Sequence, residues 1–388
     1  MLRREIAAAD ARGDRTLAAE LRDDYDYDGV QTCAVDGMCG VACPVDINTG
    51  DLVRRLRAES APAPLGAVWG AAAKHWGTAT RTVGAALTVA DALPAPLVRA
   101  ATRAGRAVLG ADTVPLYTDD VPAGGRARPA GEPTSNGPHV AGAPGDPAQA
   151  QAVFFATCMS TMFHAAGQTG STAAFLTLAE RAGVTLVVPK EAGSLCCGTP
   201  WKSKGYAGGF ATMTERVLTA LNAATDGGRL PVVCDAASCT EGLETMQNLA
   251  ASARTDAPHL RFVDATTFAA EHFLPALTVT APVGSVAVHH TCATTQLGAS
   301  GHLDGLAEFV ATEVYRPTDW GCCAFAGDRG MLHPELTASA TAREAAEIRQ
   351  RAFDAHVSAN RACEIGMTRA TGRTYTHVLE LVEAARRH

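Results

Sequence analysis

Eight of the 12 cysteines in this chain form one ordered pattern written twice, and that pattern constrains the fold more than any other feature. Cys158, the adjacent Cys196 and Cys197, and then Cys239 are matched by Cys292, the adjacent Cys322 and Cys323, and Cys363. Matching positions lie 134 residues apart (158 to 292), 126 apart (196 to 322) and 124 apart (239 to 363), so the order survives small changes of length. The flanking sequence repeats with it. "AVFFATC" and "VAVHHTC" each deliver a cysteine from a short β-rich run, "LVVPKEAGSLCCG" and "VYRPTDWGCCA" carry the pairs, and amphipathic stretches follow at 210–223 and 336–353. "VVCDAASCTEGL" and "HVSANRACEIGM" carry the last cysteines, and "RFVDATTFAAEHF" matches "TYTHVLELVEAAR". We read two copies of one unit.

Within each copy β-rich runs alternate with helical ones, which predicts α/β units with parallel strands. Cysteines that follow strands gather at the carboxyl ends of those strands, where open α/β sheets bind ligands. The duplication therefore predicts two sites, one per copy. Thiolates are soft donors that select zinc, copper(I) or iron–sulfur clusters, and four per copy could hold a four-iron cluster or a tetrahedral zinc. Adjacent cysteines favour the cluster, because their side chains reach neighbouring irons more easily than two vertices of one zinc tetrahedron. Other readings stay open: cysteines as ordinary core residues, vicinal disulfides, whose dihedral geometry is strained, and dithiol redox chemistry without metal.

Neighbouring residues carry weaker signals. Cys234 is matched by Ser358 and reads as a bystander or an accessory thiol. His289 and His290 precede Cys292 and could hydrogen-bond a cluster, carry protons or sit satisfied in the core. Lys202, Lys204 and Arg329 follow the vicinal pairs and could offset cluster charge or face solvent.

The first 150 residues are organised differently. "CAVDGMCGVACP" has ferredoxin spacing, with Cys33, Asp36, Cys39 and Cys43 in the four ligand positions and an aspartate in the second. A carboxylate oxygen can bind iron, though it is harder and held less firmly than a thiolate. The fourth cysteine of such a run serves the other cluster in two-cluster ferredoxins. Cys33, Asp36 and Cys39 are therefore expected to share one cluster with a thiolate from outside this run, and Cys43 to serve a second. Helical patterns, one capped by Asn48 or Thr49, surround the motif, and a proline- and glycine-rich stretch follows. We expect a small, mostly helical ferredoxin-like domain over 1–112, a linker over 113–150, and cysteine-rich α/β units over 151–280 and 281–388.

A net charge of −7, spread along the chain, leaves no footprint for nucleic acid. No stretch approaches the roughly 20 uninterrupted apolar residues that span a bilayer, and the charged amino terminus is unlike an export signal. Twelve cysteines then imply a reducing compartment, so the expected location is cytoplasmic, compatible with peripheral binding to the inner face of the membrane. No nucleophile constellation and no glycine-rich nucleotide fingerprint is evident, so no catalytic residue is assigned.

The carboxyl-terminal block resembles the cysteine-rich "CCG" repeats of heterodisulfide reductase subunits and of the iron–sulfur parts of glycolate oxidase, glycerol-3-phosphate dehydrogenase and lactate-utilisation systems. From "CAVDGMCGVACPVDINTGDL" through "CCGTPWKSKGY", "CDAASCTEGL", "HHTC" and "GCCAFAGDRGMLHPEL" to "CEIGMTRATGRTY", the whole chain is similar to the carboxyl-terminal half of fused FAD-linked D-lactate dehydrogenases. The resemblance implies 4Fe-4S clusters on the cysteines named above. It also implies FAD on a separate dehydrogenase domain or subunit, and a cytochrome or quinone as electron acceptor. The start at "MLRREI" resembles the segment just after the family's first ferredoxin run, and no flavin domain is expected here. The family repeat often ends in C-x2-C, whereas the matching positions here are Cys239 with Gly242 and Cys363 with Gly366, which favours a conventional four-iron cluster or a degenerate site. Two alternatives belong to other classes: a heterodisulfide-reductase-like thiol/disulfide catalyst, and a non-enzymatic redox-sensing scaffold.

Overall fold

Runs such as "AVFF", "TLVV" and "VVC" are apolar throughout, the pattern of strands covered on both faces. They form the centre of the carboxyl-terminal block in the computed structural model, which describes residues 2–126, 128, 139–143, 146–166, 169–253 and 258–385. The first sheet comprises β1 (His139–Gly142), β2 (Ala152–Phe155), β3 (Thr185–Val188), β4 (Val232–Cys234) and β5 (Phe262–Asp264), in the order β1-β3-β2-β4-β5. The second comprises β6 (Val283–Val288), β7 (Ala311–Tyr315), β8 (Ala355–Ser358) and β9 (Thr376–His377), in the order β7-β6-β8-β9. Apart from β1 every pairing is parallel, and both units place their strands second, first, third, fourth. The duplication read in the cysteines is thus a duplication of topology. It also sets a switch point beside the first strand of each unit, where ligands of open α/β sheets sit.

Two local expectations need correction. Residues 139–142, inside the stretch read as a linker, pair antiparallel with β3 from His139↔Val188 to Gly142↔Thr185. A sheet edge offers unpaired backbone groups that a short extended segment can satisfy whatever its composition. Much of the remaining stretch, including 129–138, lies outside the described residues. The amphipathic stretch at 336–353 is also divided, into helices Pro334–Ala340 and Ala342–Ile348. Between them the Thr341 hydroxyl donates back to the Thr337 carbonyl at 2.6 Å, a bond that competes with helix continuation. Its counterpart in the first unit is one unbroken helix, Ala207–Ala224.

The two units share a core. Phe154, Phe175, Phe268 and Phe273 of the first are buried together with Val286, Val288, Leu303, Val357 and Leu379 of the second. Helix Ser171–Arg181 lies against helix Val378–Ala384, where Arg181 pairs with Glu383 at 3.0 Å and the Gly170 amide donates to Glu380 at 2.8 Å. Full burial of one Phe side chain contributes roughly 1.5–3 kcal/mol, so the aromatic cluster alone couples the folding of the two units.

The amino-terminal region is helical: Leu2–Ala11, Arg15–Asp24, a π-helical turn at Tyr25–Gln31, Met38–Ala42, Thr49–Ser60, Ala63–Lys74, Trp76–Ala92 and Ala95–Leu109. Asn48 caps Thr49–Ser60 by accepting from the Gly50 amide at 2.9 Å, and the helix buries Val53 and Leu56. Helices 63–74 and 76–92 form a wall over the first sheet. Trp201 donates to the Trp69 carbonyl at 2.8 Å and packs 4.7 Å from Trp76 between ring centroids. Buried Arg57 ties the regions together, donating to the carbonyls of Val30 (2.6 Å), Cys33 (2.8 Å) and Ser203 (2.8 Å). Among the described residues no helix is long and apolar enough to cross a membrane.

Candidate metal centre

In the first unit the strands deliver their cysteines as the sequence pattern predicts. Cys158 follows β2, Cys196 and Cys197 end the loop after β3, and Cys239 lies in the first turn of helix Ala237–Ala253 after β4. Gly198, at φ +79°, turns the chain sharply behind the pair into helix Thr199–Lys204. Asp235 fixes the Cys158 loop by accepting from the Thr157 amide at 2.8 Å and from the Thr172 hydroxyl. Cys158, Cys196, Cys197 and Cys239 are all buried, with 4.0 Å between the Sγ atoms of Cys158 and Cys196.

The thiols run as a string, Cys158 to Cys196 to Cys197 to Cys239, each hydrogen-bonding the next. Bonds from Cys196 and Cys239 hold Cys197 well below the ordinary thiol range, and the bond from Cys196 lowers Cys158. Burial, with its thiol neighbours, pushes Cys196 far up. Two of the four positions therefore favour thiolate, the form that binds metal. Cys234 extends the string, since its thiol hydrogen-bonds Cys239. Gly242, where the family repeat often has a further cysteine, has no room for one: a Cβ there would lie 2.7 Å from Thr199 Oγ1 and 2.9 Å from the Cys197 carbonyl.

In the second unit Cys292 opens helix Cys292–Gln296 after β6, Cys322 and Cys323 follow β7, and Cys363 lies in helix Arg361–Thr371 after β8. Cys323 and Cys363 are buried with 3.2 Å between their sulfurs, while Cys292 and Cys322 are only partly covered. Cys322 and burial push Cys292 well above its ordinary value. Buried His289 joins this site. Its Nδ1 meets Glu344 Oε1 at 2.8 Å, and a ring nitrogen lies with the sulfurs of Cys323 and Cys363 inside a 4.8 Å group. Burial disfavours its protonation, but Glu344 and Cys323 outweigh that and push His289 to about 10. A metal would displace that proton. His290 instead pairs with Asp304 at 2.9 Å, away from the sulfurs.

The donors fit a metal or cluster. A tetrahedral zinc with Zn–S bonds of about 2.3 Å holds its sulfurs about 3.8 Å apart. Among the described residues only His289, Cys323 and Cys363 form a three-donor group within 4.8 Å. Residues 152–244 and 286–368 each match the family model of the cysteine-rich domain (CCG). The two matched segments fall within the two α/β units. No curated protein matches it.

Around the first cysteine-rich domain, two groups that sequence reading does not single out complete the surroundings. Arg128 is buried, donates to the carbonyls of Gly193 (2.6 Å), Leu195 (2.8 Å) and Ala156 (3.3 Å), and lends Cys158 a stabilising positive charge. Trp76 lies near Cys158 and helps lower its thiol, and its buried indole N–H makes no hydrogen bond. Arg128 belongs to an aperiodic stretch and Trp76 to a distant helix, so neither carried a local signal. Of the three cations that sequence did mark, Lys202 pairs with Glu241 at 3.0 Å and Lys204 with Asp328 at 2.8 Å. Arg329 is buried, donating to the Gln31 carbonyl at 2.9 Å.

The amino-terminal motif is less converged. Cys39 is exposed, with its thiol lowered by a bond from Thr49 at 3.2 Å, and Cys33 and Cys43 are half-buried. Among the described residues Cys33, Asp36, Cys39 and Cys43 do not form a three-donor group. Asp36 turns toward the second cysteine-rich domain: its carbonyl accepts from Gln296, and its charge helps raise Cys292 and Cys322. Buried Arg57 and Arg329, with Arg54, set positive charge near Cys33.

A cavity of about 310 Å³ lies between the two domains, walled by Thr157, Thr172, Asp235, Arg361, Glu364 and Glu380 among others. None of the residues lining it is a cysteine.

Proposed function

We propose that this chain is the iron–sulfur electron-transfer component of a flavin-dependent D-2-hydroxy-acid dehydrogenase of the D-lactate type. The observation that carries the reading is the delivery, in two equivalent domains, of four cysteine sulfurs to the carboxyl ends of parallel strands. A bound 4Fe-4S cluster supplies reversible one-electron chemistry. In the first domain the protein supplies thiolate donors, a water-poor surround, and positive charge at Arg128. Two such sites match the two electrons that a flavin yields after oxidising its substrate. On this reading FAD resides on a partner domain or subunit, and electrons leave to a cytochrome or quinone, with peripheral docking at the membrane. Disulfide catalysis of the heterodisulfide-reductase kind is the second reading, favoured by the partly exposed Cys292 and Cys322.

The test is anaerobic purification with iron and acid-labile sulfide counts and electron paramagnetic resonance, followed by mixing with a D-lactate-reduced flavoprotein. Cluster signals that appear on mixing support the relay. A colourless, iron-free protein from anaerobic cells sinks it, and reoxidation of reduced clusters by a disulfide alone would favour the catalyst.

A further inference from the structure

We infer that His289 is a metal ligand, so that the two cysteine-rich domains carry different donor sets: sulfur alone in the first, sulfur with one imidazole nitrogen in the second. The inference rests on the reading that both domains hold iron–sulfur clusters.

Strand register shows how the copies diverged. At the end of β2, Phe155 is paired with Cys234 at the end of β4. The equivalent pair in the second domain is His289 with Ser358. The β6–β8 ladder is paired through Val288↔Val357, the His289 amide donates to the Val357 carbonyl at 2.9 Å, and the Ser358 hydroxyl donates to the His289 carbonyl at 3.2 Å. The first domain thus has its extra donor, Cys234, on the third strand of the unit, and the second has a histidine one strand away. Each domain keeps four patterned cysteines and adds one donor, from opposite members of the same strand pair.

The imidazole is held as ligating histidines are. Glu344, 1% exposed, takes the Nδ1–H at 2.8 Å and so directs the lone pair to Nε2. That second nitrogen is buried and makes no hydrogen bond, while the ring belongs with the sulfurs of Cys323 and Cys363 to a group whose ligand atoms all lie within 4.8 Å of one another. Most buried polar atoms have a partner; His356 Nε2 also lacks one, but His289 alone of the two belongs to a group with cysteine sulfurs. Where the first domain offers a fifth sulfur, the second offers a neutral imidazole that brings no negative charge to a cluster, and imidazole where another site has thiolate raises reduction potential. The second domain is then the electron sink of the pair.

The test uses the full chain, purified anaerobically with ¹⁵N-histidine or natural histidine and reduced for pulsed electron paramagnetic resonance. The expected result is a directly bonded nitrogen whose coupling changes with the label and is lost in His289→Asn but kept in His290→Asn. In His289→Cys the more positive of two midpoint potentials is expected to fall. Labelled wild-type protein alone decides the matter if a variant does not fold. Full iron and sulfide with no nitrogen coupling would overturn the ligand assignment and leave the relay standing, whereas wild-type protein without iron overturns both.

Discussion

The Sγ atoms of Cys323 and Cys363 lie 3.2 Å apart across 40 residues of chain. They need close by only about 1 Å to reach the S–S bond length of about 2.05 Å. Metal-free protein treated with a mild thiol oxidant should therefore join this pair before Cys158 and Cys196, whose sulfurs are 4.0 Å apart. Cys322 favours the Cys323 thiolate, but Cys363 and burial outweigh it and push Cys323 to about 12. The attacking thiolate is thus scarce at neutral pH, and cross-linking should accelerate as pH rises. Peptide mapping by mass spectrometry at pH 7 and pH 9 checks both statements, and the cross-linked protein should no longer take up iron at the second site.

Asp36 lends negative charge to Cys292 and Cys322. Removing that charge in Asp36→Asn should lower both thiols and raise the alkylation rate of half-exposed Cys292 by roughly 2- to 10-fold at low salt. Exposed Cys39 is the internal reference. An unchanged Cys292 rate would place the Asp36 carboxylate with the ferredoxin-like motif alone.

Gly198 and Ala324 occupy the same place behind the vicinal cysteines, and both have positive φ, +79° and 52°. In Gly198→Ala the new Cβ would also meet Met246 at 2.3 Å and Phe210 at 2.8 Å, so a loss of about 2 kcal/mol or more is expected. Ala324→Gly relieves the backbone strain in the second copy and should gain about 1 kcal/mol. Urea melts of the two single variants measure both, and opposite signs are the expected outcome.

Glu364 is pushed by burial, with Glu380 and Asp235 adding to it against Arg361, to about 7. Its folded value lies above its unfolded one, so its contribution to stability is complete below the unfolded value of about 4.3 and is lost as pH rises through about 7. Full loss amounts to about 3–4 kcal/mol at about 1.36 kcal/mol per pH unit. Glu364→Gln should flatten this part of the profile, gaining on wild type between pH 5 and pH 8. Buried His377, lowered to about 4 by desolvation, acts in the opposite sense: its contribution is lost as pH falls from about 6.5 toward 4. The wild-type-minus-variant difference isolates Glu364, and chemical denaturation at several pH values reads it.

Short-range order carried much of this structure. The repeated succession of apolar run, cysteine, vicinal pair and helical cysteine determined the two parallel units and the ends of the strands at which sulfur collects, because strand direction and side-chain alternation are local properties. The cap at Asn48 was legible for the same reason. Across strands and domains that locality ends. Cys234 and Ser358 matched in sequence, and only the register shows that Phe155 and His289 lie opposite them on equivalent strand pairs. Packing likewise decided that Gly242 leaves no space for a side chain, that Trp76 and Arg128 attend Cys158, and that Asp36 faces the second domain. These relationships join residues tens to hundreds of positions apart. The sequence by itself determined which groups could bind metal, and the shared core with the docked helices decided which of them meet, because burial and approach distance are properties of the whole packed chain.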